Sequence, residues 1–151
     1  MSVGSYGPGA PDAFGRRVDA QIFGHFLDVL ISRPGTAEAV RVRGLIDTGA
    51  SDVCIDYRIA QELGLREVDQ RDVGVVGATT LATVYTGVIR LPELGYQNTL
   101  PLYALKVRRP THDVLIGRSL LKEFIVTFNG PSGTFHFATP MASYDEHPFE
   151  E

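Results

Sequence analysis

Cysteine occurs once, at Cys54, so no intrachain disulfide can form and a disulfide-stapled secreted scaffold is excluded. Lysine- or arginine-rich runs are absent and the formal net charge is −4, which argues against phosphate-backbone binding as the main task. No stretch approaches the roughly 20 apolar residues of a membrane-spanning helix. The N-terminal segment lacks the apolar core of a signal peptide. The expectation is a reducing, cytoplasmic location, with neither nucleic acid nor a membrane as partner. His25, His112, His136 and His147 show no metal-ligand spacing and Cys54 has no second cysteine, so neither a metal nor another cofactor is expected. P-loop, dinucleotide-glycine and Gly-x-Ser-x-Gly patterns are missing as well.

What is present suits one compact domain: 151 residues, 44% hydrophobic and 21% charged. Residues 1–17 are rich in Gly, Pro and Ser without apolar period and read as a flexible leader. Residues 139–151 are acidic and irregular and read as a flexible tail. The folded domain is expected over 18–138, with no 20–50-residue repeat inside it.

Within that span the signals are mostly β. Leu27, Val29 and Ile31 alternate against Asp28 and Ser32, and Val40 and Val42 alternate with Arg41 and Arg43. Both are the period-2 pattern of half-buried strands, joined by a turn at Arg33-Pro34-Gly35-Thr36. Phe124, Val126 and Phe128 share one face of a further strand. Phe135 and Phe137 do the same beyond the turn residues 129–133, which predicts a C-terminal hairpin. One short helix is expected from an Asp56 N-cap to Gly64, burying Ile59, Ala60 and Leu63. A second is expected over 119–124 with Leu120, Leu121 and Phe124 inward. Many short strands with two short helices predict a closed or nearly closed all-β domain.

Residues 44–55 hold the chemistry: Gly-Leu-Ile-Asp-Thr-Gly-Ala-Ser-Asp-Val-Cys-Ile. A carboxylate between two apolar strands is costly unless it is hydrogen-bonded or shares a proton. Gly49 permits a sharp turn and close backbone approach, and Thr48 brings a short hydroxyl. A lone Asp-Thr-Gly is ordinarily a surface turn in which Asp caps its own backbone. The flanking Leu45, Ile46, Val53 and Ile55 argue against that reading alone.

Leu45-Ile46-Asp47-Thr48-Gly49-Ala50 resembles the active-site loop of retropepsin-like (retroviral-type) aspartic proteases. Val114-Leu115-Ile116-Gly117-Arg118-Ser119-Leu120-Leu121 resembles their second signature, with a flap-like segment between the two. The resemblance covers most of 20–138. It implies an all-β retropepsin-like acid protease fold: a closed barrel-like domain with a flap hairpin and one or two short helices. It also implies an aspartic endopeptidase acting on a peptide or protein substrate. Asp47, Thr48 and Gly49 would be catalytic, with Thr48 bonding across a twofold axis. One Asp-Thr-Gly in so short a chain implies a homodimer, because two carboxylates must share one proton.

For substrate binding the resemblance points to Ala50, Ser51, Asp52 and Val53, to a flap tip at Gly77-Ala78-Thr79-Thr80, and to His112, Asp113 and Leu115. The C-terminal hairpin, with Phe124, Phe128, Phe135 and Phe137, is expected to build the dimer interface or the core. Many relatives carry Asp where this chain has Ser51, paired with the Arg after the second Gly. Either Asp52 is then the substitute partner of Arg118, or Arg118 pairs elsewhere. Cys54 is expected as a small core residue. Two other readings stay open: a retropepsin-fold dimerisation or peptide-binding module with little or no activity, and a structural β-domain with Asp47 as a turn cap.

Overall fold

The computed structural model of the chain describes residues 10–11, 17–18 and 25–139. The rest of the expected leader, and the expected tail beyond residue 139, lie outside the described residues. Eleven strands are described: β1 (Ala10–Pro11), β2 (Arg17–Val18), β3 (Phe26–Ser32), β4 (Ala39–Ile46), β5 (Cys54–Asp56), β6 (Arg66–Val75), β7 (Ala78–Leu91), β8 (Tyr96–Leu105), β9 (Val114–Ile116), β10 (Ile125–Asn129) and β11 (Thr134–Ala138). Two short helices, α1 (Tyr57–Leu63) and α2 (Arg118–Leu121), complete the set, with a 3-10 turn at Pro92–Leu94. No helix among the described residues is long and apolar enough to cross a membrane.

The strands form a closed barrel. Their order is β3-β4-β9-β5-β8-β7, and a β3–β7 pairing closes the ring. Closure leaves those six strands without a free edge. β6 hangs outside the ring on β7 as the second arm of a long hairpin. The pairs β4–β9 and β5–β8 are parallel; the other pairs in the barrel are antiparallel. The all-β barrel with a projecting hairpin and two short helices is the architecture expected from the sequence.

Inside, the alternating residues do as their period requires. Leu27, Val29 and Ile31 are fully buried, and they pack with Ile46, Ile55, Ile89, Leu102 and Ile116. A smaller cluster of Ala82, Val84 and Tyr103, with Cys54 and Val73 against it, fills the root of the hairpin. It ties the projecting arm to the strand that leaves the Asp-Thr-Gly loop.

Helix α1 begins and ends as its sequence predicts. Asp56 caps it by accepting from the Arg58 N–H at 3.2 Å, and Gly64 ends it at φ 61°, a left-handed conformation that costs glycine little. Ile59, Ala60 and Leu63 face inward. Asp56 does more than cap, since its other oxygen accepts from the Arg108 N–H at 3.1 Å. One buried carboxylate therefore ties α1 to the segment that follows β8.

Four features differ from the expectation. Alternation places Arg43 outward, yet it is fully buried, its guanidinium carbon 4.1 Å over the Phe26 ring. The chain around Asp113 covers that face of β4, with the Asp113 N–H donating to the Arg43 carbonyl at 2.9 Å. Asp28 is buried too, its charge met by Arg41 at 2.9 Å. α2 stops at Leu121, three residues short of the expected end, and Phe124 is half-buried beyond it. In the C-terminal hairpin Phe135 and Phe137 belong to the core of their own chain, Phe124 packs edge-on against Phe137, and Phe128 is left 43% exposed. Only part of the expected aromatic area is therefore available to a second chain.

Asp56→Ala removes a cap and leaves the part-buried Arg108 N–H, in the segment after β8, without its acceptor. We expect it to cost about 2–3 kcal/mol, read as a lower urea midpoint with an unchanged slope.

Candidate active site

The parallel pairing of β4 with β9 lays Gly44-Leu45-Ile46 beside Val114-Leu115-Ile116, so the two signatures enter the site side by side. Asp47 follows directly from β4, its N–H donating to the Ile116 carbonyl at 3.0 Å. The chain then turns back, with the Ala50 N–H on the Asp47 carbonyl at 3.2 Å. The Gly49 N–H holds Asp47 Oδ1 at 3.0 Å. That is the self-capped turn expected of a lone Asp-Thr-Gly, and it is compatible with a chemical role. Oδ1 is fixed, while Oδ2 takes no hydrogen bond from the described residues of the chain.

The second signature clamps this loop from below. Gly117 lies against the loop backbone: a Cβ there would run into the Asp52 carbonyl oxygen and come within 2.8 Å of the Ala50 carbonyl oxygen. Only glycine allows that approach. From there the Arg118 N–H reaches the Ala50 carbonyl and the Ser119 N–H reaches the Ser51 carbonyl, both at 2.9 Å. The Arg118 side chain returns to the loop, with Nη1 on the Thr48 carbonyl at 2.7 Å and Nη2 on Ser51 Oγ at 3.4 Å. Ser51, and not Asp52, is thus the side-chain partner of Arg118. A neutral hydroxyl stands where the resemblance leads one to look for a carboxylate.

Asp47 opens onto a cleft of about 1380 Å³. Gly49, Ala50, Ser51 and Asp52 share its floor, and His112 and Leu115 line one wall. Thr48 is exposed but lies off the cleft. Val53 is fully buried in the core. Asp113 also lies off the cleft, its carboxylate on Arg108 at 2.6 Å. The hairpin turns at Val76-Gly77, ahead of the expected tip Gly77-Ala78-Thr79-Thr80, because Val75 pairs with Ala78 and Gly77 takes φ 75°. Gly77, Ala78 and Thr79 consequently do not line the cleft; Val73, Gly74, Val76, Thr80 and Leu81 do. Residues that the sequence did not single out complete the walls, notably Tyr57, Tyr103, Lys106 and Arg109. No motif marks them, since their presence depends on how β8 and the loop after it fold over the floor.

Two titrating groups at the site are shifted. Burial pushes the Cys54 thiol up to about 11, and the charges of Asp52 and Asp47 add to this. Cys54 lines the cleft instead of lying wholly in the core, but it stays a protonated thiol at neutral pH and a poor nucleophile. Burial also lowers the His112 pKa, and the positive charges of Arg109 and Arg43 lower it further. Among the described residues no group of three or more His, Cys, Asp or Glu side chains could hold a metal ion.

Comparison with known proteins agrees with this geometry. A family model described as aspartyl protease matches residues 34–120, which include both signatures. The protease of EIAV, solved with an inhibitor, is 18% identical with a TM-score of 0.52; the match covers 64% of this chain and 84% of that one. A retropepsin-like aspartic protease from Rickettsia conorii is 16% identical with a TM-score of 0.51; the match covers 84% of this chain and 86% of that one. At such identities the likeness speaks for the fold, which is retropepsin-like. No curated protein matches the sequence.

Gly117→Ala places a methyl group inside the backbone of the 50–52 loop. It should cost about 3 kcal/mol and abolish any activity of Asp47, as read from denaturant midpoints and from cleavage assays. A second expectation concerns pH. His112 has a folded pKa below its unfolded value of about 6.5, so below that pH the unfolded chain binds the proton that the folded chain refuses. Stability is therefore complete above about 6.5 and falls as pH drops through the lowered folded value. His25, lowered by burial, acts in the same direction. Midpoints at pH 7.5 and 5.5 should differ less in His112→Gln than in the unsubstituted protein.

Proposed function

The chain belongs to the aspartyl protease family, and from that premise we propose that it is an endopeptidase whose dyad is built from two copies of Asp47. The observation that carries the reading is the Asp47 carboxylate itself. One oxygen is pinned by Gly49, the other is unengaged, and both sit at the floor of a cleft roofed by a hairpin. A single aspartate of this kind cannot be base and acid at once. A twofold axis beside the Asp47 loops would supply the second, with the exposed Thr48 and the neighbouring Gly49 meeting their copies there.

In this mechanism the two carboxylates share one proton, because adjacent like charges resist joint ionisation. The ionised Asp47 takes a proton from a water between them, and the water oxygen bonds to the scissile carbonyl carbon. The protonated Asp47 gives its proton to the carbonyl oxygen. Collapse of the tetrahedral intermediate breaks the C–N bond: the leaving nitrogen takes up a proton from one Asp47 while a hydroxyl of the diol returns one to the other, which restores the singly protonated dyad. The pair titrates as one unit. Arg118 contributes at a distance by holding the Thr48 carbonyl and Ser51, which keeps the carboxylate in register. An extended peptide would lie between the floor and the β6–β7 hairpin, bonding to it as an added strand. The exposed side chains of Val76 and Leu81 are apolar area that such a peptide would cover, and closure of the hairpin would exclude water.

The rival reading, a peptide-binding module with little or no activity, draws on Ser51: a neutral contact to Arg118 holds the loop less firmly than an ion pair. One variant separates the two. Asp47→Asn should keep the fold and lower cleavage of a peptide library by about 10²–10⁴-fold or more. Full cleavage by this variant would sink the endopeptidase assignment. Unsubstituted protein that binds peptides without cutting any would favour the module.

A further inference from the structure

The wall formed by the segment after β8 carries an unbalanced charge. Four basic side chains lie close together there in sequence: Lys106, Arg108, Arg109 and His112. Arg108 is neutralised by Asp113 at 2.6 Å and has its N–H on Asp56. Lys106 and Arg109 differ. Both are exposed, both line the cleft, and neither meets a carboxylate among the described residues. The Arg109 guanidinium is positioned by its own chain, with Nη1 donating to the Arg108 carbonyl at 3.0 Å. The backbone beneath it is a closed turn in which the Arg109 N–H donates to the His112 carbonyl at 2.8 Å, and the His112 N–H donates back to the Arg109 carbonyl at 3.3 Å. A cation held on so short a turn has little freedom left to lose on meeting a ligand.

Burial lowers the His112 pKa, Arg109 and the buried Arg43 lower it further, and Asp113 and Asp47 act in the opposite direction. The other charges around the cleft are arranged differently. Arg71 on the hairpin is met by Asp69 at 2.8 Å. Asp52 and Asp72 face the cleft from the floor and from the hairpin. The cleft is thus divided by sign, with its uncompensated cations confined to the wall that also holds Leu115.

We propose that Lys106 and Arg109 select peptides carrying an acidic side chain close to the scissile bond, with Arg109 gripping the carboxylate through its free guanidinium N–H groups. This rests on the reading of the cleft as a peptide site and deepens it. Guanidinium and ammonium groups that meet no carboxylate among the described residues are the donors that a substrate carboxylate seeks. Each copy of the wall in a dimer would favour acid on its own side of the bond.

The test pairs cleavage with binding so that the two readings fail separately. One peptide cut from a random library, or the tightest library binder to the Asp47→Asn protein if none is cut, is remade with Glu or Gln at each position in turn. At one position at least, Glu should exceed Gln by roughly tenfold at low salt, in kcat/KM for the unsubstituted protein and in affinity for Asp47→Asn. The ratio should shrink as salt is raised. It should fall to about one when Lys106→Gln and Arg109→Gln are combined, and Arg109→Glu should favour Lys at the same position. A Glu-to-Gln ratio near one throughout, or one that survives the double substitution, overturns the proposal. Binding with the acidic preference but without cleavage supports it while sinking the endopeptidase reading. Cleavage without the preference does the reverse, and a protein that neither binds nor cuts any peptide overturns both.

Discussion

The close approach of Gly117 to the 50–52 loop is the contact on which the site depends. It lets the backbone N–H groups of Arg118 and Ser119 reach the carbonyls of Ala50 and Ser51. It also brings the Arg118 side chain under Thr48. With the parallel β4–β9 pairing above it, the turn that carries Asp47 is held from two directions. In the proposed dyad, a carboxylate sharing a proton across an axis would tolerate little positional error, since misplacement by about 1 Å costs on the order of a hundredfold in rate. A clamp made of backbone is suited to that demand, because backbone held in a barrel has fewer rotamers to lose than two long side chains.

The same geometry explains the electrostatics around the carboxylate. Cys54 lies near enough to Asp47 and Asp52 for their charges to add to the effect of burial, so the thiol stays protonated and is a poor nucleophile. His112 sits on the cleft wall, and its pKa is lowered first by burial and then by Arg109. The Asp47 floor and the positive wall beside it belong to separate segments. The floor follows β4 and the wall follows β8; the β5–β8 pairing, buried Asp56 and the Asp113 N–H on the Arg43 carbonyl are among the contacts that join them.

Much of the fold was legible from residue pattern because the patterns were local. Alternation placed Leu27, Val29 and Ile31 in the core, and the Asp56 and Gly64 caps bounded α1. The patterns failed where a second layer covered a face that alternation left polar. Arg43 and Asp28 are buried for that reason, by Phe26 with the chain at 109–113 in one case and beside the Arg41 partner in the other. The tip of the hairpin was expected at Gly77-Ala78-Thr79-Thr80, but Gly77 closes the turn after Val76, and Ala78, Thr79 and Thr80 already belong to the returning strand.

By itself the sequence determined the resemblance and the chemistry available: one Asp-Thr-Gly between apolar strands, a second glycine signature, and no rival metal or nucleophile motif. These are short-range facts, carried by residue types and spacing. Tertiary structure alone decided which side chains share the cleft. It took Val53 into the core and paired Arg118 with Ser51. It also brought Tyr57, Tyr103, Lys106 and Arg109 around Asp47 from segments remote in sequence. The physical reason is closure of the barrel: strand partners are chosen by the whole ring, and a wall built from one strand against the floor of another has no signature in either.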